Sequence, residues 1–352
     1  MFGQNFVEEG KKGKRNALYL TKTLYIVDMA QFILFATFLV LLSFACAFNF
    51  KDLTYEELVE KTYSLQGPFA SVSDAKILLG TDEVGEGTHF KCSPTIARIS
   101  NLHTLNTDIE RPQVLLSGEI HGDERVGPSA SYTASKLMIL ATQCLGVQKI
   151  YKRVTSDATS ISQQESACKE LAADYNINHP DQLNWLALLA AKRDTIVLPA
   201  ANCHGYKMSL RTDAAVDPNR DFAYIRKDDN CLSSTTARIF NELMHRSMIQ
   251  TVVTFHGGMQ AIGYEWGSPN HKGSAVDEQS PDDLANRFIA GSMQVLGGSD
   301  GKKRRKGFTD PYPIGTMNSL VYPVEGGMED WMYVSRRLDL DSLSHPNADN
   351  LI

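Results

Sequence analysis

His121 and Glu124 stand three apart in His-Gly-Asp-Glu, and His256 follows far along the chain in Thr-Phe-His-Gly-Gly. Two imidazoles and one carboxylate are ligands that zinc takes in catalytic sites, which keep a further position open. Residues three apart in a turn can converge on one ion, while the third ligand must arrive from elsewhere in the fold, and His256 is placed to do so. Zinc held this way polarises carbonyls and brings the pKa of its water to about 7. A lone His-x-x-Glu is more often a surface turn, so its company decides the reading. His103, His179, His204, His245, His271 and His345 lie in no such context and read as surface or core histidines.

That company is a set of anion-binding candidates. Asn219 and Arg220 lie in Asp-Pro-Asn-Arg-Asp-Phe, and Tyr322 in Val-Tyr-Pro-Val-Glu-Gly-Gly-Met-Glu-Asp-Trp. Arg220 offers a planar two-pronged donor to a carboxylate, and the Asn219 amide adds a neighbouring donor. The bland alternative is a structural ion pair of Arg220 with Asp217 or Asp221. Arg211, eight residues before Asn219, either faces a developing oxyanion or is a surface arginine. Tyr322 either caps a bound substrate end or packs in the core.

Elements must bring these positions together. Gln113–Ser117 (QVLLS) and Asp194–Leu198 (DTIVL) read as buried strands, and Thr251–Phe255 as a third. Pro128 opens a helix running to about Leu140, since proline is tolerated in a first turn. Residues 145–194 form a polar insert with a helix near Asp181–Lys192, and Thr235–Met248 is an amphipathic helix. Residues 51–110 read as a lead-in of short strands, with a capped helix start at Asp52–Leu58. Apolar strands alternating with helices predict an α/β sheet covered on both faces. Sites in such sheets collect at strand C-terminal ends, and His121 and His256 each follow a predicted strand. Residues 268–312 are loop-like; the run Lys302-Lys303-Arg304-Arg305-Lys306 reads as a solvated loop, with a processing site or an acidic-partner patch as the alternative.

The chain has 352 residues, 43% of them apolar, which suffices for a sizeable core. Its net charge of −6 gives no reason to expect a nucleic-acid partner. Residues 1–47 read as a leader separate from the fold. Lys11, Lys12, Lys14, Arg15 and Lys22 precede an apolar run, Phe32–Phe48, in which Ala45-Cys46-Ala47 has the small-x-small pattern of signal-peptidase cleavage. Cleavage predicts secretion; if uncleaved, residues 30–48 are the one membrane contact, as a type II anchor. Met29 offers a second start that leaves a signal peptide of ordinary length. Of six cysteines, Cys46 leaves with the leader, so an odd number remains. The pairings that suggest themselves are Cys144–Cys168, closing the insert, and Cys203–Cys231, tying segments near the site, unless all are buried thiols.

The ordered motifs resemble the M14 metallocarboxypeptidases, the carboxypeptidase A-like zinc exopeptidases, over about residues 110–333. HGDE, VDPNRDF, TFHGG and VYPVEGGMEDW match that family's ligand, Asn-Arg, third-ligand and Tyr…Gly-Gly…Asp-Trp segments. The stretch from Cys231 to His256 and the motif GYEWGSPN resemble a protist-type branch. The resemblance implies a three-layer α/β/α domain over residues 48–352 around a mixed, mostly parallel central sheet, and removal of C-terminal residues from peptide or protein substrates. It implies one zinc ion on His121, Glu124 and His256. Asn219, Arg220 and Tyr322 would hold the terminal carboxylate, and Arg211 would polarise the scissile carbonyl. Glu329, just before Asp330-Trp331, would line the side-chain pocket and favour a C-terminal Lys or Arg by charge pairing.

One part of the pattern is not found. The family's general base is a glutamate on a late strand, and after Trp331 the tail carries only Asp339, Asp341 and Asp349. The expectation is a C-terminally truncated sequence whose last strand is missing. The alternatives are a pseudoenzyme that binds zinc and peptide C-termini without turnover, or a substitute acid such as Glu325. A zinc deacylase or amidohydrolase of the same superfamily is a further reading. A missing strand would leave a sheet edge open and the isolated chain poorly behaved.

Overall fold

Residues 52–79, 92–108, 111–146, 161–224, 231–259, 261–271, 275, 281–286 and 313–333 are described by a computed structural model. The leader, the basic run 302–306 and the tail from residue 334 lie outside the described residues, and with them the expectations of cleavage, anchoring and a missing last strand.

Among the described residues five strands form the main sheet: β1 (Ala70–Asp74), β2 (Thr95–Ile99), β3 (Gln113–Ser117), β4 (Asp194–Leu198) and β5 (Ile249–Thr254), in the order β1-β2-β4-β3-β5. β1 with β2 and β2 with β4 pair antiparallel, whereas β4 with β3 and β3 with β5 pair parallel. The sheet is therefore mixed, as expected, and its parallel half carries the site. A second, two-stranded sheet joins β6 (Ile262–Tyr264) to β7 (Ile314–Thr316).

Side chains alternate across the central strands. Val114, Leu116 and Val197 enter one buried cluster, and Leu115, Ile196 and Leu198 the other. The first cluster is covered by α2 (Val126–Leu145), α3 (Ile161–Tyr175) and α4 (Pro180–Lys192). The second is covered by α6 (Thr235–Arg246) together with Phe222, Met328 and Trp331. These are the three layers the resemblance implies. Each cover helix buries a stripe: Leu186, Leu189 and Ala190 on α4, and Ile239, Phe240 and Leu243 on α6. Each fully buried Leu or Ile contributes about 1.5–3 kcal/mol by leaving water.

α1 (Tyr55–Tyr63) starts with a capping box, in which the Thr54 hydroxyl accepts from the Glu57 amide while the Glu57 carboxylate accepts from the Thr54 amide. α5 (Cys203–Met208) follows β4 and is capped by Asn202, whose Oδ1 accepts from the Gly205 amide at 2.8 Å. Cys144 and Cys168 form a disulfide, as expected. The other expected pairing is corrected: Cys203 bonds Cys92, and Cys231 has no disulfide partner among the described residues. The reason is strand register. Antiparallel pairing sets Ala97 against Val197, and extending that register by about five residues brings Cys92 beside Asn202 and so within reach of Cys203.

Candidate metal centre and substrate-binding residues

The parallel strands β3 and β5 end side by side, with Ser117 opposite Thr254. The chain leaves β3 into the turn carrying His121 and Glu124, where the Glu124 amide donates to the His121 carbonyl at 3.1 Å. It leaves β5 directly into His256, after Phe255 has donated to the Ser117 carbonyl at 3.0 Å. The turn packs tightly on α5. A Cβ added at Gly122 would lie 1.9 Å from the Gly205 carbonyl carbon, so only glycine permits this approach.

His121 Nδ1 lies 3.0 Å from Glu124 Oε1, and His256 Nδ1 lies 3.0 Å from Glu124 Oε2. The two imidazole centroids are 5.1 Å apart. One ligand atom from each of the three residues falls within 4.8 Å of the others, a spacing that one ion can bridge. The donor set, two imidazoles and a carboxylate, fits zinc. His121 is buried and His256 is about one-third exposed, so the centre opens on the His256 side.

Asp217 is the residue sequence reasoning missed. Its Oδ1 lies 3.0 Å from His121 Nε2, leaving Nδ1 for the metal, in the way carboxylates orient metal-binding imidazoles. The same oxygen accepts from the Asn219 amide at 3.0 Å, capping the 3-10 turn Pro218–Arg220. Its Oδ2 accepts from Arg211 Nε at 3.0 Å. Burial alone would raise the Glu124 pKa, but hydrogen bonds from both histidines outweigh it and hold it at about 2. Asp217 is likewise held low against its burial by His121 and Arg211. Burial opposes the His121 charge, but its hydrogen bonds to Asp217 and Glu124 win and the pKa is raised.

The anion-binding candidates gather around the same turn. The Asn219 Oδ1 accepts from the Met328 amide at 2.9 Å, and the Phe222 amide donates to the Gly326 carbonyl at 3.1 Å. These bonds lash the Asn-Arg segment to the Gly326–Met328 turn. Arg220 donates to the Tyr322 hydroxyl at 3.2 Å, and its guanidinium lies 5.8 Å from that ring centroid. Tyr322 is 53% exposed, which removes the core-tyrosine alternative. Arg211 is paired with Asp217 and lies 3.6 Å from Glu124 Oε1. Asp217 thus bonds both Arg211 and His121.

Glu329 is cradled by glycines. A Cβ at Gly267 or Gly327 would lie 2.3 or 2.5 Å from its Oε1, and that oxygen has no partner among the described residues. Burial lifts its pKa to about 7. Asp330 beside it accepts from the Gly267 and Ser268 amides at 2.8 and 2.6 Å and fixes the loop that faces Glu329. Glu119, two residues before His121, is wholly buried; its Oε1 accepts from the Asn202 amide at 2.9 Å, while its Oε2 has no partner among the described residues.

A family model described as zinc carboxypeptidase matches residues 157–342, just over half of the chain. That stretch includes Arg211, Asn219, Arg220, His256 and Tyr322 and begins after His121 and Glu124. Carboxypeptidase SOL1 of Arabidopsis thaliana is 27% identical over 143 residues, which are 39% of this chain and 28% of that protein. The chain therefore aligns with little more than a quarter of that relative's length. Among solved structures, thrombin-activatable fibrinolysis inhibitor superposes with a TM-score of 0.52 at 13% identity, covering 81% of this chain and 64% of that one. Carboxypeptidase A of Helicoverpa armigera gives 0.49 at 16% identity, over 89% and 68% of the two chains. The first of these likenesses carries the fold alone.

Proposed function

The chain belongs to the zinc carboxypeptidase family, and from that premise we propose that it removes residues from peptide C-termini with zinc bound to His121, Glu124 and His256. The observation that carries this is Asp217 Oδ1, which serves His121 and the Asn219 amide at once. One carboxylate oxygen thereby joins the metal ligands to the Asn219–Arg220 pair, as an exopeptidase that measures from the chain end requires. Zinc supplies Lewis acidity toward the scissile carbonyl.

The chain's own residues do the rest. Arg220, with Asn219 and the exposed Tyr322, holds the terminal carboxylate; Tyr322 already bonds Arg220 and can follow it onto substrate. Arg211, two-fifths exposed, turns from Asp217 to the carbonyl oxygen where negative charge develops. Glu329 receives a C-terminal Lys or Arg, because its partly buried carboxylate has one oxygen, Oε1, without a partner among the described residues, and such a group gains most from a cation. Two disulfides suit an oxidising compartment, which with the basic leader and Ala45-Cys46-Ala47 supports the secretory pathway. Among the described residues no helix is long and apolar enough to cross a membrane.

A second reading is zinc-dependent binding of peptide C-termini without turnover. It is favoured by the engagement of the nearby carboxylates: Glu124 between the histidines, Asp217 with His121 and Arg211, and Glu119 buried against Asn202. Incubating the zinc-loaded protein with a Lys-ended peptide and weighing the products separates the two. Loss of single C-terminal residues supports hydrolysis; tight binding of an uncleaved peptide supports the second reading.

A further inference from the structure

Arg125, the residue after Glu124, ties three parts of the chain together. Its Nε donates to Asp52 at 3.1 Å, its Nη2 to the Leu53 carbonyl at 3.2 Å, and its Nη1 to the Tyr206 carbonyl. The guanidinium lies 3.7 Å from the centroid of the Tyr206 ring. The Tyr206 hydroxyl returns to the same Leu53 carbonyl at 2.6 Å. Tyr206 is fully buried in a small cluster with Leu53, Leu58 and Ala200. The segment before α1 is thus strapped across α5 and onto the metal-binding turn.

Local preference does not explain an arginine here. Arg125 is the N-cap of α2 and makes no side-chain capping bond. Ser, Thr, Asp or Asn are favoured there, and a cation faces the positive end of the helix dipole. A residue that breaks a local rule calls for a compensating gain, and the strap supplies one. α5 lies directly under the turn at Gly122 and leads, through Ser209 in the left-handed region, to Arg211 beside Glu124. Holding α5 and Arg125 together therefore fixes Glu124 from both sides. The guanidinium donates to its three acceptors from three separate nitrogens of a planar fork, whereas lysine carries its donors on a single ammonium nitrogen.

We propose that Arg125 is a positioning residue for the metal ligand Glu124, and that Asp52 and Leu53 are the anchor against which it holds the turn. This rests on reading His121, Glu124 and His256 as a zinc site.

The test measures zinc affinity of the full chain by competition with a chromogenic chelator, with melting temperature and near-ultraviolet circular dichroism alongside. Wild type binds one zinc ion and His121→Ala binds none. Arg125→Lys loses about tenfold or more in zinc affinity while remaining folded, the size expected when support of a metal ligand is removed. Asp52→Asn, a milder surface change, loses severalfold and decides the matter if Arg125→Lys does not fold. Arg98→Lys is the control. It loosens a bidentate pair with Asp194 at the opposite end of β4, and it lowers the melting temperature with zinc affinity unchanged. Arg125→Lys binding zinc like wild type, or weakening no more than Arg98→Lys, overturns the proposal. Asp52→Asn unchanged beside a weakened Arg125→Lys overturns the anchoring role. If wild type takes up no zinc, the zinc-site reading falls and this inference with it.

Discussion

Asp217 Oδ1 stands 3.0 Å from His121 Nε2, across 96 residues of chain. In the proposed zinc site this contact would set which His121 nitrogen faces the metal, so its loss would be felt as metal affinity. Asp217→Asn keeps the shape and removes the charge. It is expected to weaken zinc binding by about 10- to 100-fold, read by chelator competition on folded protein. Affinity equal to wild type would show that the contact is only structural.

Zinc that binds the folded chain alone must also stabilise it. At a free zinc concentration about 100 times its dissociation constant, the gain is about 2.7 kcal/mol, or several degrees in melting temperature. Wild type gains this and loses it to a chelator, whereas His121→Ala and His256→Ala show no zinc-dependent shift. Equal shifts in wild type and variants would place the metal elsewhere.

The proposed role of Glu329 in binding a C-terminal Lys or Arg carries a pH signature. Its pKa is lifted to about 7 by burial, so it is mostly neutral at pH 6 and mostly charged at pH 8. Only the charged form pairs with a cation. KM for a Lys-ended peptide should therefore fall as pH rises from 6 to 8, relative to a Leu-ended peptide, and Glu329→Gln should remove the difference. A Leu preference at pH 8 contradicts the assignment.

Glu119 makes an opposite statement about stability. Burial raises its pKa to about 8 in the folded chain, against about 4.3 when unfolded. Between these values the folded state holds a proton that the unfolded state has released, so this group's contribution to stability falls as pH rises and levels off above the folded pKa. Glu119→Gln is neutral throughout. In zinc-free protein its melting temperature should match wild type near pH 4 and exceed it by several degrees at pH 8.5. A constant offset between the two at every pH would rule out the buried proton.

Much of this was readable in the chain. β3 and β4 fall within the residues their sequences predict, because QVLLS and DTIVL are unbroken apolar runs and the strands are central. His121 and His256 follow their strands because parallel sheets gather function at strand C-terminal ends. α3 was not legible: ISQQESACKELAADY buries only Ala167 and Leu171, too thin a stripe to show periodicity. Asp217 was not legible as a metal-orienting group, since no local signal says which of many acids meets an imidazole 96 residues away. The Cys92–Cys203 pairing depended on the β2–β4 register, a contact between distant strands that spacing alone does not encode. Arg125 was invisible for the same reason, since its partners sit at Asp52, Leu53 and Tyr206.

The most direct test of the account is C-terminal trimming. Zinc-loaded protein is incubated with a Lys-ended peptide and with the same peptide amidated at its C-terminus, and the products are weighed by mass spectrometry. The account predicts stepwise loss from the free-acid peptide, none from the amide, and none with Arg220→Ala. Cleavage inside the chain, equal cleavage of the amide, or an intact free-acid peptide would contradict it.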